Sequence, residues 1–470
     1  MELDGFIGRE PELAELEERY RSDRFEMVVV YGRRRVGKTS LIARFCVDKP
    51  HVFYVAQEYN DASALQDFSR SIFEASGIES GAPSFGSWKD AFAQLARLGR
   101  ERRMVVVIDE FPYLARANPG IPSILQNSID HELQGTGVFL ILCGSSVAFM
   151  EKEVLAYKSP LYGRRTAQMK IEPFDYLDGA RFFPKSEVRS RIANYMVLGG
   201  VPLYLKEFSD SASLPRNIEQ HLLRPSAYLF AEPVGLLKQE LRDPSVYNSL
   251  IGAIAQGASR LNDIAMKGGE TTSKSSIYLD TLIELGIIRR STPAGSMAGR
   301  KTIYEIQDNL FRFWYRFVYP NLSPILSGTA DVVLEKRILP GLDGFLGNAF
   351  EDVCRQFLIR RNRDRSLPFP FTTVSRWWGT DPVARTEQEI DLVAIDGDSA
   401  LCCECKWKNT RMGVPDLELL KARSLLLPMT DRHFALFSKS GFTDELVRLS
   451  ESEGVLLVDP EKMLQVISST

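Results

Sequence analysis

The residues with the clearest chemistry form a glycine-rich loop near the start of the chain. Gly32, Gly37, Lys38 and Thr39 have the spacing Gly-x4-Gly-Lys-Thr, between an apolar run and a helical pattern. This is the context of a phosphate-binding loop, whose backbone N–H groups surround the phosphates of a nucleotide. Lys38 would contact the β- and γ-phosphates, and the Thr39 hydroxyl would bind Mg²⁺. The sequence therefore predicts ATP and Mg²⁺ as ligands.

Two further apolar runs end in residues that suit the same chemistry. Residues 104–108 are all apolar and are followed by Asp109 and Glu110. Such a run predicts a strand buried on both faces of a parallel sheet, with Asp109 binding Mg²⁺ and Glu110 polarising the attacking water. A third strand, 137–143, precedes Ser145 and Ser146. The hydroxyl of one of them would sense the γ-phosphate, because ligands lie beyond the carboxyl ends of parallel strands.

Length, net charge, apolar content and cysteine count limit the class of protein to which these elements can belong. The chain has 470 residues, enough for two to four domains, and a net charge of -3, so any basic surface must be local. It contains no apolar stretch long enough to span a membrane and no apolar signal at its amino terminus. Its six cysteines are too few for a disulfide framework, which predicts a cytoplasmic protein.

Several motifs together resemble a known ATPase family. The stretches 6–13, 32–40, 109–110 and 161–166 are similar to the predominantly archaeal ATPases, which are related to AAA-like and STAND-type ATPases. The resemblance implies that Arg9 lies near the base and that Arg164 or Arg165 senses phosphate. It also implies that Pro202 packs near the base from a helical lid. The predicted nucleotide-binding residues are Arg9, Gly32, Gly37, Lys38, Thr39, Ser40, Asp109, Ser145, Arg164, Arg165 and Pro202.

The middle of the chain predicts a winged helix. Helical patterns near 250, 261 and 272–285 precede a strand pair separated by a Gly/Ser-rich turn. The candidate DNA-phosphate contacts are Lys274, Arg289, Arg290, Arg300 and Lys301. In STAND-like ATPases the same module also serves as an intramolecular clamp, so both readings stay open. The aromatic stretch 311–319 is interpreted as packing between domains rather than as a base-stacking surface.

A β-hairpin near the carboxyl end carries a second set of chemical groups. If Gly397-Asp398 is its two-residue turn, Asp391 lies directly opposite Glu404, and Lys406 shares their face. Leu401, Cys403, Cys405 and Trp407 would fill the other, apolar face. Two carboxylates and an ammonium suit a divalent cation bound by Asp391 and Glu404, with Lys406 acting on water against a phosphodiester.

This pattern resembles the PD-(D/E)XK nuclease family, in which a glutamate on an earlier helix completes the site. Glu351 occupies the matching place, so the resemblance implies the catalytic set Glu351, Asp391, Glu404 and Lys406, beside Lys38 and Glu110 in the ATPase. The basic residues Arg360, Arg361, Arg363 and Arg365 would guide DNA or solvate a loop. Zinc is disfavoured because Cys403 and Cys405 would point away from Cys402 along a strand, and no partner Cys or His pair is near in the sequence.

The predicted architecture is α/β with five segments. They are a P-loop ATPase domain (1–175), a helical lid (176–240), a winged helix (241–320), a linker (321–344) and a nuclease-like domain (345–470). The predicted function is an ATPase whose nucleotide state controls a DNA-acting, metal-dependent nuclease-like domain on double-stranded DNA. The alternatives are a nucleotide-gated DNA-binding regulator and an ATP-dependent, homo-oligomeric signalling scaffold with an inactive nuclease fold.

Overall fold

The computed structural model describes residues 5–78, 83–295 and 302–465. The chain forms two compact units. The first extends to Pro173 and also includes the short segment Val201–Leu203. The second comprises Phe174–Gly200 and the chain from Tyr204 onward.

The first unit is a parallel sheet with helices on both faces. Its strands are β1 (Glu26–Tyr31), β2 (His51–Val55), β3 (Met104–Asp109), β4 (Val138–Gly144) and β5 (Ala167–Lys170). Its helices are α1 (Glu10–Tyr20), α2 (Lys38–Cys46), α3 (Asp61–Ala75), α4 (Trp88–Glu101), α5 (Phe111–Ala117), α6 (Ile121–Ser128) and α7 (Val147–Phe149), with π-helical turns at Ile129–Leu133 and Met150–Val154.

The sheet has the strand order β2-β3-β4-β1-β5, and every pair is parallel. All residues of β1, β3 and β4 are buried, as their uninterrupted apolar sequences predict. The predicted parallel α/β architecture is therefore confirmed. β5 was not predicted, because only alternate residues of this short edge strand are buried and its sequence signal is weak.

The second unit begins with helices and ends in a mixed α/β segment. Its helices are α8 (Tyr176–Ala180), α9 (Val188–Leu198), α10 (Pro202–Leu205, which starts in the first unit), α11 (Leu214–Leu222), α12 (Tyr228–Glu240), α13 (Pro244–Ala255), α14 (Leu261–Gly268), α15 (Thr272–Glu284), α16 (Asn309–Phe313), α17 (Leu322–Leu326), α18 (Ala330–Val333), α19 (Leu339–Arg363), α20 (Val414–Ser424), α21 (Asp444–Glu453) and α22 (Pro460–Leu464). Its strands are β6 (Ile288–Ser291), β7 (Ile303–Ile306), β8 (Thr373–Thr380), β9 (Glu387–Asp396), β10 (Ser399–Lys406), β11 (Asp431–Ser438) and β12 (Leu456–Val458).

Two sheets form in this unit. β6 and β7 pair antiparallel immediately after the three helices α13–α15. The larger sheet has the order β12-β11-β10-β9-β8. Its β8, β9 and β10 are antiparallel, whereas β10, β11 and β12 are parallel. The long helix α19 and the shorter α20 both pack against β10, so this strand is covered on both faces.

The predicted linker differs from the structure. Residues 321–344 carry α17, α18, a π-helical turn (Leu334–Ile338) and the first turn of α19. A proline in the first turn of a helix loses no hydrogen bond, which is why Pro340 is compatible with α19. Pro340 therefore marks the start of a helix rather than a break in the structure.

Most of the aromatic stretch 311–319 is buried, whereas Tyr319 at its end is 38% exposed. Phe311, Phe313, Trp314 and Tyr315 are buried, and the Trp314 indole N–H donates to the Phe230 carbonyl at 2.9 Å. These rings fill the interior of the second unit and present no stacking surface to a nucleic acid base.

Within the described ranges, none of the helices combines the length and the apolar character needed to cross a membrane.

Candidate functional site

The glycine-rich loop connects β1 to α2 at the carboxyl edge of the first sheet. Gly32 has φ +150°, and a Cβ placed there would lie 2.3 Å from the Ile171 carbonyl oxygen. Gly37 has φ +90° and directly precedes α2. Both positions need glycine, one for a close backbone approach and one for a left-handed turn. The loop backbone therefore has the sharply turned path that a phosphate cradle requires.

Lys38 closes this loop from the inside. Its ammonium donates to the Gly32 and Arg33 carbonyl oxygens, each at 2.9 Å, and the side chain is only 5% exposed. Burial lowers the pKa of Lys38 because the interior disfavours its charged form. The side chain thus lies at the loop that it was predicted to complete.

The two predicted Mg²⁺ ligands meet at the same edge. The Thr39 hydroxyl donates to Asp109 Oδ2 at 2.6 Å, although the two residues are 70 positions apart. The Glu110 N–H donates to the other carboxylate oxygen of Asp109 at 2.9 Å, which fixes the plane of that carboxylate. An acid and a hydroxyl held in this way fit a Mg²⁺ that also binds phosphate oxygens.

Glu110 and Ser145 are also brought together. Glu110 has φ +52° immediately before α5, and its Oε2 accepts from the Ser145 hydroxyl at 2.8 Å and from its N–H at 3.3 Å. β4 lies beside β3, so the ends of the two strands are adjacent. Ser145, predicted to sense the γ-phosphate, is bound here to the predicted water-polarising glutamate.

Arg9, Pro202 and Ser40 all lie close to the loop. The Arg9 guanidinium donates to the Val36 carbonyl at 3.0 Å and to the Glu172 carbonyl at 2.6 Å. Pro202 Cγ lies 3.7 Å from a Cβ placed on Gly37. Ser40 is in the first turn of α2. The roles of Arg9 and Pro202 near the base, and of Ser40 in nucleotide binding, remain predictions.

The two predicted arginine sensors are engaged elsewhere. Arg164 makes a two-pronged ion pair with Asp130, at 2.8 and 2.7 Å. Arg165 donates to the Leu155 carbonyl at 2.9 Å and lies over the Tyr162 ring. Either guanidinium would have to leave these partners to contact a phosphate.

Sequence reasoning missed one neighbour of the loop. Arg34, at the tip, donates to the Tyr113 hydroxyl at 2.9 Å. Tyr113 lies on α5, the helix that begins directly after Glu110. A tyrosine three residues after an acid carries no recognisable motif, so nothing in the sequence could have identified it.

The C-terminal hairpin has the predicted register. Ser399 pairs with Asp396, and the pairing continues to Cys403 with Leu392. The recorded pairing ends there, and beyond it Asp391 Oδ2 accepts from the Cys405 N–H at 2.7 Å. Leu401, Cys403 and Trp407 of the predicted apolar face are buried, and so are Ala400 and Cys402.

Each predicted catalytic group at this end has an internal partner. Glu404 lies 3.9 Å from the Lys406 ammonium and 3.4 Å from Arg423, and Lys406 forms an ion pair with Asp416 of α20. Burial, and next the charge of Asp391, raise the pKa of Glu404 to about 7. The structure therefore brings Asp391, Glu404 and Lys406 together.

Glu351 reaches the site from α19. It forms an ion pair with Arg376 of β8, and both line a cavity of about 240 Å³ together with Asp391. Burial raises the pKa of Glu351 to about 7, with Arg376 opposing this shift and Asp391 adding to it. Among the described residues, no group of three or more His, Cys, Asp or Glu side chains is arranged to hold a metal ion.

The predicted DNA-phosphate contacts are only partly available. Arg289 is bound by Glu305 at 3.1 Å and by Asp352 at 2.6 Å, which argues against its predicted role. Arg290 pairs with Asp280, and the exposed Lys274 lies 4.0 Å from Glu270. Arg300 and Lys301 lie outside the described residues. Separately, Arg360 of the predicted DNA-guiding cluster pairs with Asp175 and Asp178.

Comparison with known proteins identifies the chain's relatives. Residues 6–208 match a family model described as an ATPase domain predominantly from Archaea, and residues 314–417 match one described as "Archaea bacterial proteins of unknown function". Over 411 residues the chain is 36% identical to the uncharacterized protein MJECL04 of Methanocaldococcus jannaschii, covering 86% of this chain and 88% of that protein. The chain belongs to this predominantly archaeal ATPase family.

Solved structures resemble the archaeal-type ATPase at low identity. The Walker-type ATPase PABY2304 of Pyrococcus abyssi is 22% identical, with a TM-score of 0.49, covering 66% of this chain and 96% of that one. Cdc6p from Pyrobaculum aerophilum is 13% identical, with a TM-score of 0.37, covering 71% and 97%. The predicted family of the ATPase domain is confirmed by the family match, whereas the nuclease-like character of the C-terminal segment stays a prediction.

Proposed function

We propose that the archaeal-type ATPase binds Mg²⁺-ATP at the loop 32–40 and hydrolyses it with Glu110 as the residue that polarises water. The observation that carries the proposal is the 2.6 Å hydrogen bond between Thr39 and Asp109, which brings two magnesium-binding groups together beside Lys38. Mg²⁺ would neutralise phosphate charge as the terminal phosphoryl group leaves. Ser145 holds Glu110 at the edge where that group would lie.

Glu110→Gln tests this assignment. The amide keeps the size of the side chain but cannot accept a proton, so ATP hydrolysis should fall by about 10²–10⁴-fold while ATP binding is retained. Phosphate release and isothermal titration calorimetry measure the two quantities separately. The exposed Glu58→Gln is the matched control and should leave both unchanged. Hydrolysis at the wild-type rate in Glu110→Gln would remove Glu110 from the mechanism.

A second function is favoured by the hairpin. We infer that the segment 345–470 is a PD-(D/E)XK nuclease-like domain, with residues 176–240 as the lid, 241–320 as a winged helix and 321–344 as the connection. The support is the hairpin register, which runs from Ser399 with Asp396 to Cys403 with Leu392, together with the Asp391 carboxylate on the Cys405 N–H and Lys406 3.9 Å from Glu404. Mg²⁺ commonly uses one or two carboxylates plus substrate phosphates, so two acids suffice for it. The nucleotide state would control action on double-stranded DNA.

Plasmid cleavage in Mg²⁺ or Mn²⁺ tests this function. Asp391→Asn keeps an oxygen to accept from the Cys405 N–H but removes the charge, so cleavage should be lost without unfolding. Asp396→Asn, at the exposed end of the same strand, is the matched control. Salt-sensitive DNA binding without cleavage by the wild type would favour a nucleotide-gated regulator. If the wild type did not bind DNA and its molecular mass increased when ATP was added, a homo-oligomeric scaffold would be favoured.

A further inference from the structure

Arg376 occupies an irregular point of the C-terminal sheet. Ser375 pairs with Val393 and Trp377 with Ile390, so Asp391 and Leu392 together oppose the single residue Arg376. This is a β-bulge in β9, a feature that redirects side chains and is common beside functional sites. The bulge therefore places the backbone of Asp391 and Arg376 side by side.

The guanidinium of Arg376 lies among the predicted site carboxylates. It forms an ion pair with Glu351, and its backbone carbonyl accepts from the Ala294 N–H at 2.9 Å. Burial raises the pKa of Asp391, while the Cys405 N–H and then the charge of Arg376 oppose the rise. Arg376 thus compensates the charge of both Glu351 and Asp391, and Arg423 also opposes the rise at Asp391.

Arg376 also lines two cavities at once. One, of about 560 Å³, includes Arg316 and Asn348, and the other, of about 240 Å³, includes Asp391 and Trp378. The larger volume is within the usual range for ligand pockets. Since Arg376 faces both, its side chain stands where a ligand in the larger cavity would approach the acids.

We propose that Arg376 contacts the phosphodiester of a bound nucleic acid strand and acts as the counter-ion of Glu351 when no strand is bound. This inference rests on the proposed nuclease-like function and adds a substrate-contacting residue to it. Asp391 and Glu404 would hold a divalent cation, whose positive charge would repel the guanidinium and weaken its attraction to Glu351. The freed guanidinium has the planar fork that matches two oxygens of a phosphate.

This exchange makes opposite predictions for cation and strand. Arg376→Met removes a positive charge from the acids, so the protein should bind Mn²⁺ about tenfold more tightly. The same variant loses a phosphate contact, so it should bind a labelled oligonucleotide in Ca²⁺ at least fivefold more weakly. If Arg376 only supported the fold, its substitution would weaken the binding of both Mn²⁺ and the oligonucleotide. Calorimetric titration of the nucleotide-free full chain with Mn²⁺ measures the cation affinity. Fluorescence anisotropy of the labelled oligonucleotide measures the strand affinity.

Control variants separate the possible failures. Arg448→Met removes an exposed arginine of α21 and should change neither affinity. Arg376→Lys keeps the charge but loses the fork, so it should bind Mn²⁺ like the wild type and the strand more weakly. If Arg376→Met does not fold, Arg376→Lys still tests the proposal. Mn²⁺ binding that is insensitive to Asp391→Asn contradicts the proposed function. Binding that depends on Asp391 but is unchanged or weaker in Arg376→Met overturns this inference alone.

Discussion

Replacing Lys38 with alanine is expected to weaken ATP binding at least 100-fold and to abolish hydrolysis. The ammonium is buried inside the loop and is held by the Gly32 and Arg33 carbonyls, beside the space where the proposed function places the phosphates. Hydrogen bonds to a charged group contribute about 1.5–3 kcal/mol each, and alanine removes all of those from the ammonium. Titration calorimetry with ATP and Mg²⁺ gives the affinity.

The exposed Lys89→Ala is the matched control and should bind ATP like the wild type. Lys38→Met separates charge from volume, because methionine fills the space of the stem without the ammonium. If Lys38→Ala retained wild-type affinity with an unchanged melting temperature, the loop 32–40 would not be the nucleotide site.

Asp352→Asn is expected to destabilise the second unit by about 3–5 kcal/mol, the usual cost of breaking a buried ion pair. The Asp352 carboxylate of α19 lies 2.6 Å from Arg289, 2.9 Å from Arg312 and 3.7 Å from Arg355. Without its charge, these guanidiniums remain close together with less compensation. Urea denaturation followed by circular dichroism measures the change, and Asp364→Asn at the exposed end of α19 is the control.

The pH dependence of that difference follows from the same contacts. Burial alone would raise the pKa of Asp352, but Arg289 and then Arg312 reverse the effect and hold it below the usual range. A lowered pKa stabilises the fold above the unfolded value of about 3.9 and stops doing so as the pH falls further. The difference in the free energy of unfolding between wild type and Asp352→Asn should therefore stay constant from pH 7 to about pH 5 and become smaller below about pH 4. A gap under about 1 kcal/mol at pH 7 would contradict the role given to this network.

Local sequence rules predicted the features that depend on near neighbours. The two-residue turn Gly397-Asp398 fixed the register of β9 and β10, because each pair in an antiparallel hairpin follows from the turn. The runs that became β1, β3 and β4 were recognisable because strands buried on both faces need no polar alternation. The loop between β1 and α2 combined glycines and Lys38 at a fixed spacing.

Features that depend on distant partners were not predictable. Nothing near Glu351 indicates Arg376, and nothing near Lys406 indicates Asp416, because each pair is made by the packing of separate elements. The bulge at Asp391 depends on how β8 meets β9. The sequence around Arg289 does not indicate its partner Asp352, which lies 63 positions away. Charged residues can be counted in a sequence, but their pairing is decided by the fold.

The path of the chain around Pro202 affects how the protein can be divided. Val201–Leu203 belongs to the first unit, although the residues on either side of it belong to the second. A fragment truncated after Pro173 would lack Pro202, which lies against Gly37. Expressing the ATPase part alone would therefore give an incomplete module, and a split protein would need this tripeptide supplied in trans or through an engineered fusion.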